Sequence, residues 1–239
     1  SNDGCAISFE LFPPKTEAGL ASLLENVRRL CTFKPSYFTC TYGAGGSTQG
    51  TTLDVLQKVR EISNLPVASH LTCVNSTVEQ LEQYLQRAID QGPEYIVALR
   101  GDPPRGSDRF EATEGGLRYA NELVELIRAN FSGLGIAVAG YPEVHQEAPD
   151  AQTDLDNLKR KVDAGADVVI TQLFYDNRDF DDVRDRCAAA GMDLPIIPGI
   201  LPVTNFKQAL RIANMCKARI PDALQESMNA SEEPDHQFR

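Results

Sequence analysis

Basic residues are scarce beside acidic ones: 23 Lys and Arg against 34 Asp and Glu leave a net charge of −11. A surface of that sign repels nucleic acid phosphates and anionic lipid, so neither nucleic acid nor membrane is expected as a partner. An anionic ligand needs a local basic or amide-lined site. Histidine is rarer still. His70, His145 and His236 are the only three, none at zinc-motif spacing, and no metal is expected. The six cysteines, Cys5, Cys31, Cys40, Cys73, Cys187 and Cys216, occur singly, with no Cys-x-x-Cys pair. Scattered through apolar patterns, they read as small core hydrophobes in a reducing, cytoplasmic compartment. No apolar run approaches membrane-spanning length and no signal peptide opens the chain. Low-complexity tracts and linkers rich in Pro, Gly or Ser are also missing. The expectation is one domain over residues 1–226 and a polar, mobile tail over 227–239.

What is present is an alternation. Short β-branched or aromatic runs at residues 6–11, 37–41, 66–70, 95–99, 135–139, 167–171 and 195–200 predict strands, and their starts recur about every thirty residues, the length of a strand plus its crossover helix. Between them lie apolar stripes at helical spacing. Leu20, Leu23, Val27 and Leu30 form one; Val78, Leu81, Leu85 and Ala88 form another, after a capping box at Ser76 to Glu79. Leu155, Leu158 and Val162 precede Gly165, and Phe180, Val183 and Cys187 precede Gly191, both glycines standing where helices end. Seven such units predict an α/β fold with parallel strands, either a doubly wound open sheet or a (β/α)8 TIM-type barrel. The strand count favours the barrel, with the eighth βα unit missing from this chain.

Glu10 stands inside the first strand, flanked by apolar residues. A buried carboxylate costs several kcal/mol unless it has a partner or a task. Two readings are open: a strand-end Glu paired with Lys15 or another base, or a general acid whose pKa burial has raised.

Polar groups recur at the predicted strand ends: Glu10, Thr41 to Ala44, His70, Arg100 to Asp102, Tyr141 to His145, and Gln172. Their recurrence at one rim points to a shared site. Arg100-Gly101-Asp102-Pro103-Pro104 holds a cation beside an anion in a rigid turn, suited to a salt bridge or to a phosphate and a nitrogen-rich ring. Asp154, Asn157 and Lys161, with Arg160 nearby, share a helical face that reads on its own as solvated. Residues 43–48 (Gly-Ala-Gly-Gly-Ser-Thr) match a dinucleotide fingerprint weakly, because Thr48 replaces the third glycine.

The segments Ser8-Phe9-Glu10-Leu11-Phe12-Pro13-Pro14-Lys15, Thr41-Tyr42-Gly43-Ala44, Ser69-His70-Leu71-Thr72-Cys73, Leu99-Arg100-Gly101-Asp102, Tyr141-Pro142-Glu143-Val144-His145, Asn157 to Lys161, Thr171-Gln172 and Pro198 to Pro202 resemble, collinearly, the methylenetetrahydrofolate reductase family. The resemblance implies a barrel holding FAD, reduced by NADH or NADPH, which then reduces 5,10-methylenetetrahydrofolate to 5-methyltetrahydrofolate in a ping-pong cycle. It implies Glu10 as the acid that opens the bridged folate to an iminium, Asp102 as the residue meeting the pterin, and Gln172 as a contact shared by nicotinamide and folate. Gln208 matches a further substrate contact. Thr41, Tyr42, Ala44, His70, Arg100, Gly101, Asp102, Ala120, Tyr141, His145, Ala148, Asp154, Asn157, Arg160 and Lys161 match cofactor positions. Family members continue for roughly one more βα unit, and the protein is expected to form a homo-oligomer. The competing expectations are a truncated or diverged barrel that binds FAD or folate without turnover, and a Rossmann-type dehydrogenase built on residues 43–48.

Overall fold

In the computed structural model, residues 6–42, 49–103, 110–203 and 205–230 are described. The glycine-rich residues 43–48, Ala44 included, lie outside them. Strands and helices alternate along the chain: β1 (Ser8–Leu11), α1 (Glu17–Leu30), β2 (Tyr37–Cys40), α2 (Gln49–Ser63), β3 (Val67–Thr72), α3 (Val78–Gln91), β4 (Tyr95–Leu99), α4 (Ala120–Asn130), β5 (Gly135–Gly140), α5 (Ala151–Asp163), β6 (Val168–Thr171), α6 (Asn177–Ala189), β7 (Ile196–Ile197), α7 (Phe206–Cys216) and α8 (Asp222–Ala230). The chain divides into two compact units, residues 1–138 with 164–166, and residues 139–163 with 167–239. One domain is the sequence expectation. The boundary between the units falls inside strand β5.

In the first unit the strands are parallel and lie in chain order from β1 to β5. A doubly wound dinucleotide sheet reverses its strand order at a switch point, and no reversal occurs here, which removes the Rossmann alternative. Register sorts the side chains. Glu10 lies opposite Thr39, Thr39 opposite Ala68, and His70 opposite Val97. Because alternate residues face opposite ways, Glu10, Thr39, His70 and Thr72 share one face. The other face carries Leu11, Phe38, Cys40 and Val67, which pack with Val27 of α1 and with Val55, Leu56 and Val59 of α2 in a continuous core. Each such side chain, fully buried, contributes about 1.5–3 kcal/mol.

Helices α1 and α3 start on side-chain caps. Thr16 Oγ1 accepts the Gly19 N–H at 3.0 Å to open α1. Helix α3 opens one residue later than its sequence signature suggests: Thr77 Oγ1 accepts from Gln80 N at 3.3 Å, and Gln80 Oε1 accepts from Thr77 N at 2.9 Å. Ser76 is fully buried and its hydroxyl donates to the Val74 carbonyl at 3.4 Å, so it is turned away from the helix.

In the second unit the Gln172 N–H donates to the Gly140 carbonyl at 2.8 Å, joining β5 to β6, and β6 pairs in parallel with β7. Strand β7 is two residues long where six are expected. Pro198 has no N–H to give, and the Gly199 N–H goes to Thr171 Oγ1 at 2.9 Å instead of to a ladder. Gly199 allows this approach, since a Cβ there would meet the Thr171 carbonyl oxygen at 2.2 Å. Helix α8 corrects the tail boundary. It runs through Ser227 to Ala230, and Met228 is fully buried, so the polar composition of residues 227–230 marks only the outer side of a helix. Residues 231–239 lie outside the described residues. No helix among the described residues is long and apolar enough to cross a membrane.

Candidate active site

Each unit gathers part of the predicted set at the carboxyl ends of its strands. In the first, Glu10 of β1 and His70 of β3 approach one another, with Glu10 Oε2 3.5 Å from His70 Nε2. The contact lacks hydrogen-bond geometry, and the imidazole nitrogen has no partner among the described residues. His70 is buried, which lowers its pKa to about 4 and leaves it neutral at pH 7. A neutral imidazole does not hold a carboxylate in its charged form. Burial accordingly raises the Glu10 pKa with no opposing cation.

Glu10 departs from expectation in one respect. Its side chain is 47% exposed, not sequestered, because its apolar neighbours Phe9 and Leu11 face the helices while Glu10 faces the other way. Water reaches nearly half of the side chain and works against that rise. Among the described residues the charged-group contact of Glu10 is with His70 and not with Lys15.

On the same face Thr39 Oγ1 and Thr72 Oγ1 are buried without hydrogen-bond partners among the described residues. Sequence reading missed both. Their parity with Glu10 and His70 along paired strands is the signal that finds them. The remaining predicted residues of this unit take varied positions. The Thr41 N–H donates to the Leu11 carbonyl at 2.9 Å. Tyr42 is turned to the helix side, its ring edge-on to Tyr84 at 5.4 Å. The Tyr84 hydroxyl in turn meets Ser69 Oγ at 2.6 Å, fixing the strand residue before His70. Arg100 lies over the Phe110 ring at 4.9 Å, Gly101 has a positive φ of 89°, Asp102 is exposed, and Ala120 begins α4. Burial pushes the Cys40 and Cys73 thiols up to about 12, so both serve as packing groups and not as thiolates.

In the second unit the turn after β5 meets helix α5. The rings of Tyr141 and His145 pack edge to face with centroids 4.6 Å apart. The Asp154 carboxylate accepts from the His145 backbone N–H, and the Ala148 N–H donates to the His145 carbonyl at 2.9 Å. Lys161 Nζ donates to the Ala139 carbonyl at 2.5 Å and stands 5.9 Å from the Tyr141 ring centroid. Lys161 is half-buried as a residue, but its ammonium is enclosed, which lowers its pKa to about 8 against the opposing pull of Asp154. A small cleft is lined by Tyr141, Glu143, Val144, Gln172, Cys216 and Lys217. The structure does not bring all of α5 to this turn. Asn157 and Arg160 are exposed and bonded to each other at 2.9 Å, which matches the solvated-face reading. Gln208 is exposed on the first turn of α7.

The flavin dinucleotide implied by the resemblance needs hydrogen-bond partners for a ring and a polyol chain, and positive charge for a diphosphate. Taken unit by unit, the first holds groups of the first kind, the Thr39 and Thr72 hydroxyls and the His70 nitrogen, which have no hydrogen-bond partner among the described residues, and the second holds one of the second kind, the enclosed Lys161 ammonium.

A family model described as methylenetetrahydrofolate reductase matches residues 1–239. Methylenetetrahydrofolate reductase (NADH) 1 of Arabidopsis thaliana is 41% identical over 240 residues, covering 96% of this chain and 40% of its own length. The 5,10-methylenetetrahydrofolate reductase of Escherichia coli is 45% identical over 215 residues, covering 90% of this chain and 70% of its own. The chain thus spans about 40% of the length of its plant relative. Two solved structures share the fold at identities too low to show more. A Clostridium thermocellum protein, described as binding two copies of 5-methyl-5,6,7,8-tetrahydrofolic acid, has a TM-score of 0.64 at 16% identity, covering 96% of this chain and 77% of its own. A putative phosphonomutase from Burkholderia cenocepacia J2315 has a TM-score of 0.57 at 12% identity, covering 89% and 93%. With its strand-end motifs so placed and the family model matched along its whole length, the chain belongs to the methylenetetrahydrofolate reductase family.

Proposed function

We propose that the chain reduces 5,10-methylenetetrahydrofolate to 5-methyltetrahydrofolate at the expense of NADH or NADPH, with FAD as its cofactor. The observation that carries this reading is the pair at the ends of β1 and β3. A carboxyl group of raised pKa, open to solvent on one side, stands beside an imidazole that stays neutral. The names of relatives and the folate bound by the Clostridium thermocellum protein support the substrate class.

The flavin, when bound, accepts hydride from the nicotinamide and supplies it to the folate. The chain's residues handle protons and orientation. Glu10 Oε2 delivers a proton to the bridged folate, whose ring opens to the iminium that is reduced. A folate seated on the exposed side of Glu10 displaces water from the carboxyl, which favours its protonated form further. His70 keeps a cation away from that carboxyl. Asp102 meets the pterin, Gln172 serves nicotinamide and folate in turn, and Gln208 contacts the folate. Thr41, Tyr42, Ala44, Arg100, Gly101, Ala120, Tyr141, His145, Ala148, Asp154, Asn157, Arg160 and Lys161 hold the cofactor. Within this reading the parallel strands belong to a (β/α)8 barrel, and the protein works in the cytoplasm as a homo-oligomer.

The test uses the purified protein and Glu10→Gln. Both are expected to be yellow and to be bleached by NADH or NADPH without oxygen, while folate-dependent reoxidation falls about 10²- to 10⁴-fold in the variant. Equal loss of both half-reactions refutes the role of Glu10. Flavin that is bound but never reoxidised by folate in the parent protein favours binding without turnover.

A further inference from the structure

Val144 adopts a left-handed backbone conformation, φ 73°, which a β-branched residue rarely tolerates. It stands between two tethered neighbours. On one side both Glu143 carboxylate oxygens accept the Arg219 backbone N–H, at 3.0 and 2.8 Å. On the other the His145 N–H is held by the Asp154 carboxylate. Arg219 is fixed in turn, its guanidinium 2.9 Å from Asp179 and 3.5 Å from Asp176. Next to it Ile220 is buried. The segment between α7 and α8 is therefore a firm anchor rather than a free strand of chain.

We propose that Glu143 is a positioning residue: by gripping the Arg219 amide it holds Val144 left-handed, and so sets the His145 imidazole edge-on to Tyr141. Strain of this kind persists where the surroundings over-determine it, and two tethers on adjacent residues meet that condition. Without the grip, valine relaxes toward the extended region and carries the His145 ring off Tyr141, against the hold of the Glu147 N–H, which donates to His145 Nδ1 at 3.1 Å. Glycine at 144 would stay, because it populates positive φ about as readily as negative. The consequence for cofactor affinity rests on the flavin reading above; the geometric consequence does not.

The experiment compares the parent protein, Glu143→Ala, Val144→Gly and the double variant. The chain has three histidines, so its imidazole proton spectrum is simple, and His145→Gln identifies the His145 signal. In the parent the Tyr141 ring current displaces that signal. Glu143→Ala is expected to return it toward its unstructured position and to weaken FAD binding about tenfold, the order of a lost charge-assisted hydrogen bond. In the Val144→Gly background the same removal is expected to weaken binding less than about threefold, because the two effects share one cause. An unmoved His145 signal, or equal losses in both backgrounds, overturns the proposal. If Glu143→Ala gives no cooperative melt, Glu143→Gln, which keeps one acceptor, is read the same way with a smaller effect. A parent protein that binds no FAD refutes the functional reading and leaves the His145 signal to decide on Glu143.

Discussion

Lys161 offers the sharpest numerical check on the geometry of the second unit. Its ammonium donates to the Ala139 carbonyl, and enclosure lowers its pKa from 10.5 to about 8, with Asp154 pulling the other way. Between those two values the unfolded chain binds more protons at this site than the folded one. Stability at this site therefore rises as pH climbs through that window. At pH 7, below both values, the difference amounts to about 3 kcal/mol of lost stability, most of which returns by pH 10. Other groups titrate over the same range, so the informative quantity is a comparison with Lys161→Met. Removing the hydrogen bond to Ala139 lowers or raises the variant's stability by a constant, and that constant drops out of the pH slope. Thermal melts at pH 7 and pH 10 should show the parent gaining on the variant by about 5–10 °C. Saturating FAD should flatten the parent's gain, since an anion beside the ammonium restores its proton affinity. Parallel pH dependences for the two proteins would mean that the ammonium is solvated, and the derivation would fail.

Two further outcomes follow from packing. Gly101→Ala places a Cβ 2.7 Å from Val74 Cγ1 at a φ of 89°, so strain and overlap together should cost about 2–4 kcal/mol, read as a lower thermal midpoint with weakened FAD retention, because Arg100 and Asp102 flank the site. Met228→Ala should lower stability by about 2–5 kcal/mol in a urea melt, the cost of emptying a fully buried site; a change under 0.5 kcal/mol would mean that α8 is not docked.

The alternation of elements was legible because each strand carries its own β-branched run and each helix its own apolar stripe. Boundaries failed where a tertiary contact outbid local preference. Ser76 looks like a cap, yet its hydroxyl is spent on Val74, and Thr77 caps instead. The run at residues 195–200 looks like a strand of six, yet Gly199 gives its N–H to a threonine side chain and only two residues pair. The polar letters after Ser227 hide Met228, one apolar residue that docks a whole helical turn.

The environment of Glu10 was misread. Apolar neighbours around Glu10 suggest a sealed carboxyl, but in a strand the neighbours at 9 and 11 face away from 10, and they report on the helix side of the sheet. What surrounds Glu10 is set by residues two apart on adjacent strands: Thr39, His70 and Thr72, none of them a base that is charged at neutral pH. A half-open carboxyl in such company is an incomplete acid. Burial favours its protonated form in the free protein, and a ligand that replaces the water at its exposed side would favour it further. On the proposed reading, the protonated carboxyl that the reaction needs is then populated chiefly with substrate in place. A site built this way avoids carrying a fully buried charge while empty, and that is why a carboxylate can sit in this strand without a paired lysine.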